Sequence, residues 1–386
     1  MNVIMLSPHF PPNYVNFSVR LRQLGVTVLG LADEPYENLS PELKEALVEY
    51  YAVDDMHNYD LLLRACGHFT HRHGKIDRFE SHNEYWLETD ARLRTDFNIY
   101  GIKNDEIRCI RQKSLMKRRF EKAGVPVARG LVVRTRAQAK RFVQEVGYPV
   151  VAKPDAGVGA AATFKIHSHD ELESFFAQKP DVDYIMEEFI EGTICTFDGL
   201  TDRDGNPVFY TSHVYSVGVM ETVNDALDIY YYSLREIPPD LEEAGRRTLN
   251  AFDVRERFFH FEFFRTPAGR LVALEVNMRP PGGLTTDMFN YANDIDIYRE
   301  WANVVVFNKF TADYARPYHC CYVGRRFQYT YARPHAEVLS TLGPLVVHHE
   351  QINSTFGVAL GDYGYLVRSP ELDEIHAAAR YIHELA

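Results

Sequence analysis

FFHFEFFRTPAGRLVALEVNMRPPGG, residues 258–283, decides how this chain is read. With period two it gives two short strands, 258–265 and 270–276, joined by the turn Thr266-Pro267-Ala268-Gly269. Folding about that turn sets Glu262 roughly opposite Glu275. Side chains alternate faces along a strand, so Glu275, Asn277 and Arg279 point the same way. Two carboxylates opposed across a hairpin repel and destabilise it. A hard divalent cation between them, with the Asn277 amide oxygen as a third ligand, turns the repulsion into binding. Arg279 then supplies a fixed positive fork just beyond the metal. Pro280-Pro281-Gly282-Gly283 ends the strand and lets backbone approach whatever is bound. Either glutamate alone reads as a solvated strand residue. The set of four, between strongly apolar flanks, reads as a metal site.

Working outward, 386 residues are too many for one ordinary core and imply two or three domains. A hydrophobic content of 46% with 25% charged residues is that of a soluble globular protein. The net charge of −12 argues against a nucleic-acid or anionic-membrane surface, though a local basic pocket for a small anion stays open. The five cysteines, Cys66, Cys109, Cys195, Cys320 and Cys321, are scattered and show no CxxC pair. That favours reduced thiols and a cytoplasmic location. The start MNVIMLSPHF has neither a basic head nor a long apolar run, so no signal peptide is expected, and no window has the length of a membrane span.

From the start of the chain, residues 2–6, 14–24 and 26–31 read as a β-α-β unit with a ligand-facing loop, 7–13, after the first strand. Helices follow at 41–51 and 59–73, then a strand at 76–79 whose carboxyl end carries Glu80 and Glu84. That end of a parallel sheet is where ligands bind, so both are candidates for touching substrate; Glu84 reads equally as the start of helix 85–94. The basic helix 112–124 presents mostly a solvated face. Strand 150–154 closes on Lys153 and runs into the small-residue loop 155–162, followed by a second strand, 163–167. A lysine at the end of a buried strand beside such a loop suits phosphate oxygens. GVGAAA, 157–162, formally matches the dinucleotide fingerprint GxGxxA, but strand–loop–strand is the wrong context, and no GK[ST] follows. A hairpin flap over phosphates is the reading we take. In 183–192 a strand leaves its sheet as a linker, offering backbone groups to a purine edge, with Met186, Phe189 and Ile190 to sandwich the ring and a carboxylate for the ribose. His213, on a later strand, has a structural reading and a substrate-facing one. Strands at 322–331 and 344–349 and a helix at 372–385 complete the chain.

In this order, KPDAGVGAA (153–161), MEEFIEG (186–192), FEFF (261–264) and EVNMRPPGG (275–283), behind an N-terminal α/β domain, the sequence resembles the ATP-grasp superfamily and its carboxylate–amine ligases, of the L-amino acid ligase type. The resemblance covers residues 1 to about 310. It implies α/β and α+β architecture: a Rossmann-like pre-ATP-grasp domain (1–108), a small lid subdomain (109–190), a large subdomain with the metal site (191–315) and a C-terminal segment packing on the large subdomain (316–386). It also implies that Lys113 and Lys153 contact ATP phosphates under the loop Gly157, Gly159, Ala160. Glu187 would bind the adenine amino group beside Phe189 and Ile190. Glu262, Glu275 and Asn277 would hold one or two Mg²⁺, with Mn²⁺ as an alternative. Arg279 and Lys153 would stabilise the transferred phosphoryl group. The position that binds ribose in many relatives is Ile194 here, leaving Glu191 as a substitute. The expected reaction joins a carboxylate and an amine, one of them an amino acid, through an acyl phosphate with release of ADP and phosphate. Alternatives are a bicarbonate-using carboxylase of the biotin carboxylase or purine-pathway kind, and a nucleotide binder without catalysis. Substrate contacts are expected from Glu84, His213 and Arg279, with Arg325 and Arg326 as further candidates. Partners are small molecules, with no nucleic acid and no membrane; a homodimer is expected by analogy.

Overall fold

The computed structural model describes residues 1–157, 162–216, 218, 222 and 226–386. Three sheets organise them. The first is parallel, with β1 (Asn2–Leu6), β2 (Thr27–Ala32), β3 (Glu49–Ala52) and β4 (Arg78–Glu80) in the order β3-β2-β1-β4. The order reverses between β1 and β4, so the crevice at their carboxyl ends is the expected ligand edge. The helix begun at Pro41, capped by Ser40, stops at Ala46, and Glu49–Ala52 is a strand rather than the helix continuing to 51. Aromatic Tyr50 and Tyr51 pair with Gly30 and Leu31 in parallel register, and that pairing overrides the helical pattern.

The second sheet is antiparallel, in the order β5-β8-β6-β7: β5 (Gly130–Val133), β6 (Val150–Pro154), β7 (Phe164–Ile166) and β8 (Tyr184–Glu188). Alternation sorts its faces. Val150, Ala152, Tyr184 and Met186 pack under helices Arg136–Val146 and His169–Gln178. Val151 pairs with Glu187 and Lys153 with Ile185, so these four share the other face. Met186, expected against a purine ring, is therefore a core residue of this subdomain with no exposed surface.

Nine strands make the third sheet: β9 (Thr193–Thr201), β10 (Pro207–Thr211), β11 (His213–Tyr215), β12 (Tyr230–Ser233), β13 (Phe258–Arg265), β14 (Leu271–Asn277), β15 (His319–Arg325), β16 (Val346–Gln351) and β17 (Tyr363–Ser369). β12 pairs with β15 and β15 with β17, so the last segment extends this sheet instead of packing beside it. In β13, Phe258, Phe259, Phe261 and Phe263 are essentially unexposed. Each contributes roughly 1.5–3 kcal/mol by burial. Phe259, Phe261 and Phe263 join Phe197 and Cys195 of β9 against Leu241, Leu249 and Phe252 of helix Pro239–Phe252.

Candidate active site

The opposite face of β13 carries polar side chains. Glu262 pairs with Glu275 and His260 with Asn277 across β13 and β14, while Asp198 and Thr196 of β9 lie opposite His260 and Glu262. A register shift after Glu262 leaves Leu274 unopposed, and Ala273 pairs with Phe263. This bulge lets the apolar end of the hairpin keep its core face while Glu275 and Asn277 share the polar one. Burial raises the Glu275 carboxyl above its usual range; Lys113 pulls it back and Glu262 opposite pushes it up again. Two close carboxylates and an amide oxygen, held on rigid strands, are a hard oxygen donor set that fits Mg²⁺ or Mn²⁺. Among the described residues no group of three or more His, Cys, Asp and Glu side chains is placed to hold a metal ion by itself. A cation here would complete its shell with phosphate oxygens and water, the usual habit of Mg²⁺.

Two lysines bear on this pair, Lys113 by approach and Lys153 through its field. Lys113, first residue of helix Lys113–Lys122, brings its Nζ to 3.6 Å from Glu275 Oε1. Asp155, which follows β6, holds that helix start: its carboxylate accepts from Ser114 N at 2.8 Å and Gln112 Nε2 at 2.8 Å, and its carbonyl from Lys113 N at 2.7 Å. Lys153 Nζ sits 2.8 Å from Glu187 Oε2. Burial would lower the Lys153 ammonium, but Glu187, then Glu275 and Glu262, raise it, so the second sheet's lysine lies in the field of the third sheet's carboxylates. Glu187 Oε1 also meets Lys117 Nζ at 2.7 Å. Burial raises this carboxyl, yet Lys153 and Lys117 outweigh it and bring it to about 2. Lys117, taken from sequence for a solvated charge, is thus part of the site.

Arg279 donates to Glu84 Oε2 at 2.6 Å and to the Pro280 carbonyl at 2.9 Å, and Glu84 Oε1 accepts from Arg111 at 3.0 Å. Glu84 opens the short helix Glu84–Trp86, as its helix-start reading expects, and it also faces Arg279. The loop after β1 closes the same corner: Tyr14 donates to the Pro281 carbonyl at 2.9 Å and Asn13 to the Gly283 carbonyl at 3.1 Å. A cavity of about 370 Å³ opens there, lined by Pro11, Asn13, Gly283, Leu284, Glu350 and Phe356.

Other expected contacts are placed differently. Glu80 is buried between Arg94 at 2.8 Å and Arg257 at 3.0 Å, in an ion cluster. Arg325 donates to the Ile382 carbonyl, and Arg326 to the carbonyls of Leu227, Gly357, Thr222 and Val358; both are spent on backbone. His213 is 1% exposed, its Nδ1 2.7 Å from Asp198 Oδ2, so it belongs to the buried polar network. Phe189 lies half-buried under Lys165 Nζ, 3.8 Å from its ring centroid; Ile190 is half-buried and Glu191 exposed. Ile194 is a buried core residue and supplies no ribose contact. Gly157 accepts from Lys113 Nζ at 3.3 Å, whereas Gly159 and Ala160 lie outside the described residues.

Sequence reasoning missed Asp198 and His260. Asp198 takes His260 Nδ1 at 2.6 Å on Oδ1, and His260 Nε2 meets Glu262 Oε1 at 3.0 Å. Burial lowers the His260 ring, but Asp198 and Glu262 more than reverse it, to about 9; burial raises the Asp198 carboxyl, but His260 and His213 overcome that and hold it at about 2. The signal was present: His260 stands two residues before Glu262, and Asp198 is a lone acid in the apolar run TICTFDGLT.

A parallel 3-2-1-4 sheet, a four-stranded antiparallel sheet and a larger sheet with paired acids make up a fold of the ATP-grasp type. Residues 146–287 match the family of the ATP-grasp domain. Among curated proteins, the L-arginine-specific L-amino acid ligase of Bacillus subtilis is 26% identical over 243 residues, 61% of this chain and 59% of that one. The C-terminal section of the carbamoyl phosphate synthase large chain of Methanopyrus kandleri is 23% identical over 133 residues, 33% of this chain and 23% of that one. The chain thus spans less than two thirds of the curated relatives it matches. Among solved structures, the L-amino acid ligase of Bacillus licheniformis superposes with a TM-score of 0.74 at 16% identity, covering 98% of this chain and 96% of that one. The biotin carboxylase domain dimer of Hydrogenobacter thermophilus 2-oxoglutarate carboxylase, with MgADP and bicarbonate, gives 0.72 at 17% identity, covering 98% and 89%. No helix among the described residues is long and apolar enough to cross a membrane.

Proposed function

We propose that this protein is an ATP-dependent carboxylate–amine ligase. The observation that carries the proposal is the convergence on Glu262 and Glu275 of Lys113, from a helix start, and of the field of Lys153, from the lid sheet. A substrate carboxylate oxygen attacks the γ-phosphorus of ATP, the bond to the bridging oxygen breaks, and ADP leaves. The amine nitrogen then attacks the acyl carbon, phosphate departs, and the nitrogen loses a proton as the amide forms. The residues act mainly by electrostatics: Lys113, Lys153 and Arg279 offset charge spreading over the phosphoryl oxygens. Glu262, Glu275 and Asn277 would hold one or two Mg²⁺, or Mn²⁺, which supply Lewis-acid polarisation of phosphoryl oxygens. Glu187 and the backbone of Phe189 and Ile190 receive the adenine, Glu191 approaches the ribose, and Gly157, Gly159 and Ala160 cover the phosphates.

Arg279 and Glu84 mark the carboxylate end of the substrate site, and the cavity beside Gly283 the space for the remainder. An amino acid as one substrate is supported by the names of the two L-amino acid ligases. A homodimer accords with the dimeric biotin carboxylase domain, and reduced thiols accord with a cytoplasmic setting. The test is ADP release over a panel of carboxylate and amine pairs, with product mass. Pair-dependent ADP and a condensed product are expected. ADP release with bicarbonate alone would move the assignment to a carboxylase, and tight ATP binding without phosphate release under every mixture would make the protein a non-catalytic binder.

A further inference from the structure

Behind Glu262 lies a chain of buried polar groups that the ligase reading does not use. Asp198, with no exposed surface, has both oxygens occupied. Its Oδ1 faces His260 Nδ1 at 2.6 Å; its Oδ2 accepts from the Thr196 hydroxyl and faces His213 Nδ1 at 2.7 Å. Thr196 Oγ in turn accepts from the His213 backbone N–H at 3.1 Å. Asp198 is thereby fixed against rotation from two sides. His260, 5% exposed, spans the gap to Glu262, with Nε2 3.0 Å from Oε1. Carboxylate oxygens only accept, so the ring donates from both nitrogens. The second oxygen of Glu262, Oε2, has no hydrogen-bond partner recorded among the described residues.

We propose that Asp198 and His260 form a positioning relay that holds Glu262 by Oε1 and reserves Oε2 for a divalent cation. The inference rests on the metal reading of Glu262 and Glu275 and adds to it which oxygen binds and what aims it. Without the relay Glu262 is free to turn toward Lys153, whose field it already shares. Outer partners of this kind orient a ligand and hold it against competing cations. Asp198 and His260 are positioning residues, since neither reaches the reacting atoms.

The test is a Mn²⁺ titration of the full chain followed by electron paramagnetic resonance, with and without ADP, alongside thermal unfolding. Asparagine places its amide near the Nδ1 position, keeping the Asp198 contact and losing Glu262. Glutamine places it near Nε2 and keeps the donor to Glu262. His260→Asn should weaken Mn²⁺ binding by roughly 10- to 100-fold, while His260→Gln stays within about threefold of the wild type. Asp198→Asn should fall on the side of His260→Asn. The double variant His260→Asn/Glu262→Gln should bind no worse than Glu262→Gln alone, because the relay acts only through that carboxylate. Equal losses in the two His260 variants, or additive losses in the double variant, would overturn the relay and leave a plain packing role. Mn²⁺ binding that Glu262→Gln leaves unchanged would instead overturn the metal reading, so the two failures are distinguishable.

Discussion

Glu187 shows what a single residue of the site costs and contributes. Its carboxyl is held at about 2 against an ordinary value of 4.5. A depressed carboxyl binds fewer protons folded than unfolded, so its stabilisation is present above pH 4.5 and is lost as pH falls from there toward 2. Glu187→Gln leaves Lys117 and Lys153 buried without their counter-charge and should cost about 3–5 kcal/mol at neutral pH. The acid limb of urea stability against pH should also flatten; an unchanged limb would show that the pair is not formed. Glu275→Gln keeps the shape of β14 and relieves the repulsion with Glu262, so the melting temperature should hold or rise while metal-dependent ADP formation falls at least ~100-fold. Undiminished turnover in that variant would remove Glu275 from the site. At this scale much was readable: the period of two put Glu262 opposite Glu275, and a strand-end lysine marked Lys153. Lys117 was not, because nothing in a basic helix tells which lysine turns inward until the partner carboxylate on β8 is placed.

The elements are held by close approach between β9 and its neighbours. A Cβ at Gly199 would stand 2.1 Å from the Phe209 carbonyl oxygen and 2.6 Å from the Phe259 ring. At Gly245, on the helix above, it would stand 2.2 Å from the Phe197 ring. Gly199→Ala meets backbone, which cannot yield locally, and should destabilise by about 1–3 kcal/mol or more. Gly245→Ala meets a side chain closed in by its core and should cost a similar amount. Denaturant midpoints check both; wild-type values would mean that β9 is looser than these contacts require. Most elements were legible because their periodicity is strong, as in the helix Tyr59–His73 and the hairpin β13–β14. β12 and β17 were not identified. YYYS and YGYLVRS are read as strands only when β15 stands between them, and that pairing joins residues far apart in sequence. The tight bulge at Leu274 was likewise invisible, since one extra residue leaves no mark in composition.

For the whole molecule, the three sheets suggest how it divides and moves. We propose that the units are 1–108, 109–190, and 191–315 together with 316–386, because β12 pairs with β15 in one sheet. Truncation after residue 315 would strip β15 from the edge of β12 and uncover Tyr231 and its neighbours. The product should be insoluble or aggregated on gel filtration, and a soluble, folded truncation would contradict the shared sheet. The exposed link Glu191–Gly192 between the second and third sheets should be cut more slowly by protease when nucleotide and Mg²⁺ are added, since on the proposed function the ligand would bridge Lys153 and the paired acids. Equal cutting rates would argue against a closing lid. The ATP-grasp architecture was legible from motif order, whereas the continuity of the last segment with the large sheet depended on long-range pairing. The central claim is tested most directly by a crystal structure with Mn²⁺ and a non-hydrolysable ATP analogue, read by anomalous scattering. The account predicts a manganese peak about 2.0–2.3 Å from oxygens of both Glu262 and Glu275, bridging to the nucleotide phosphates. A bound nucleotide whose metal lies elsewhere, with the two acids turned to Lys113 and Lys153, would contradict it.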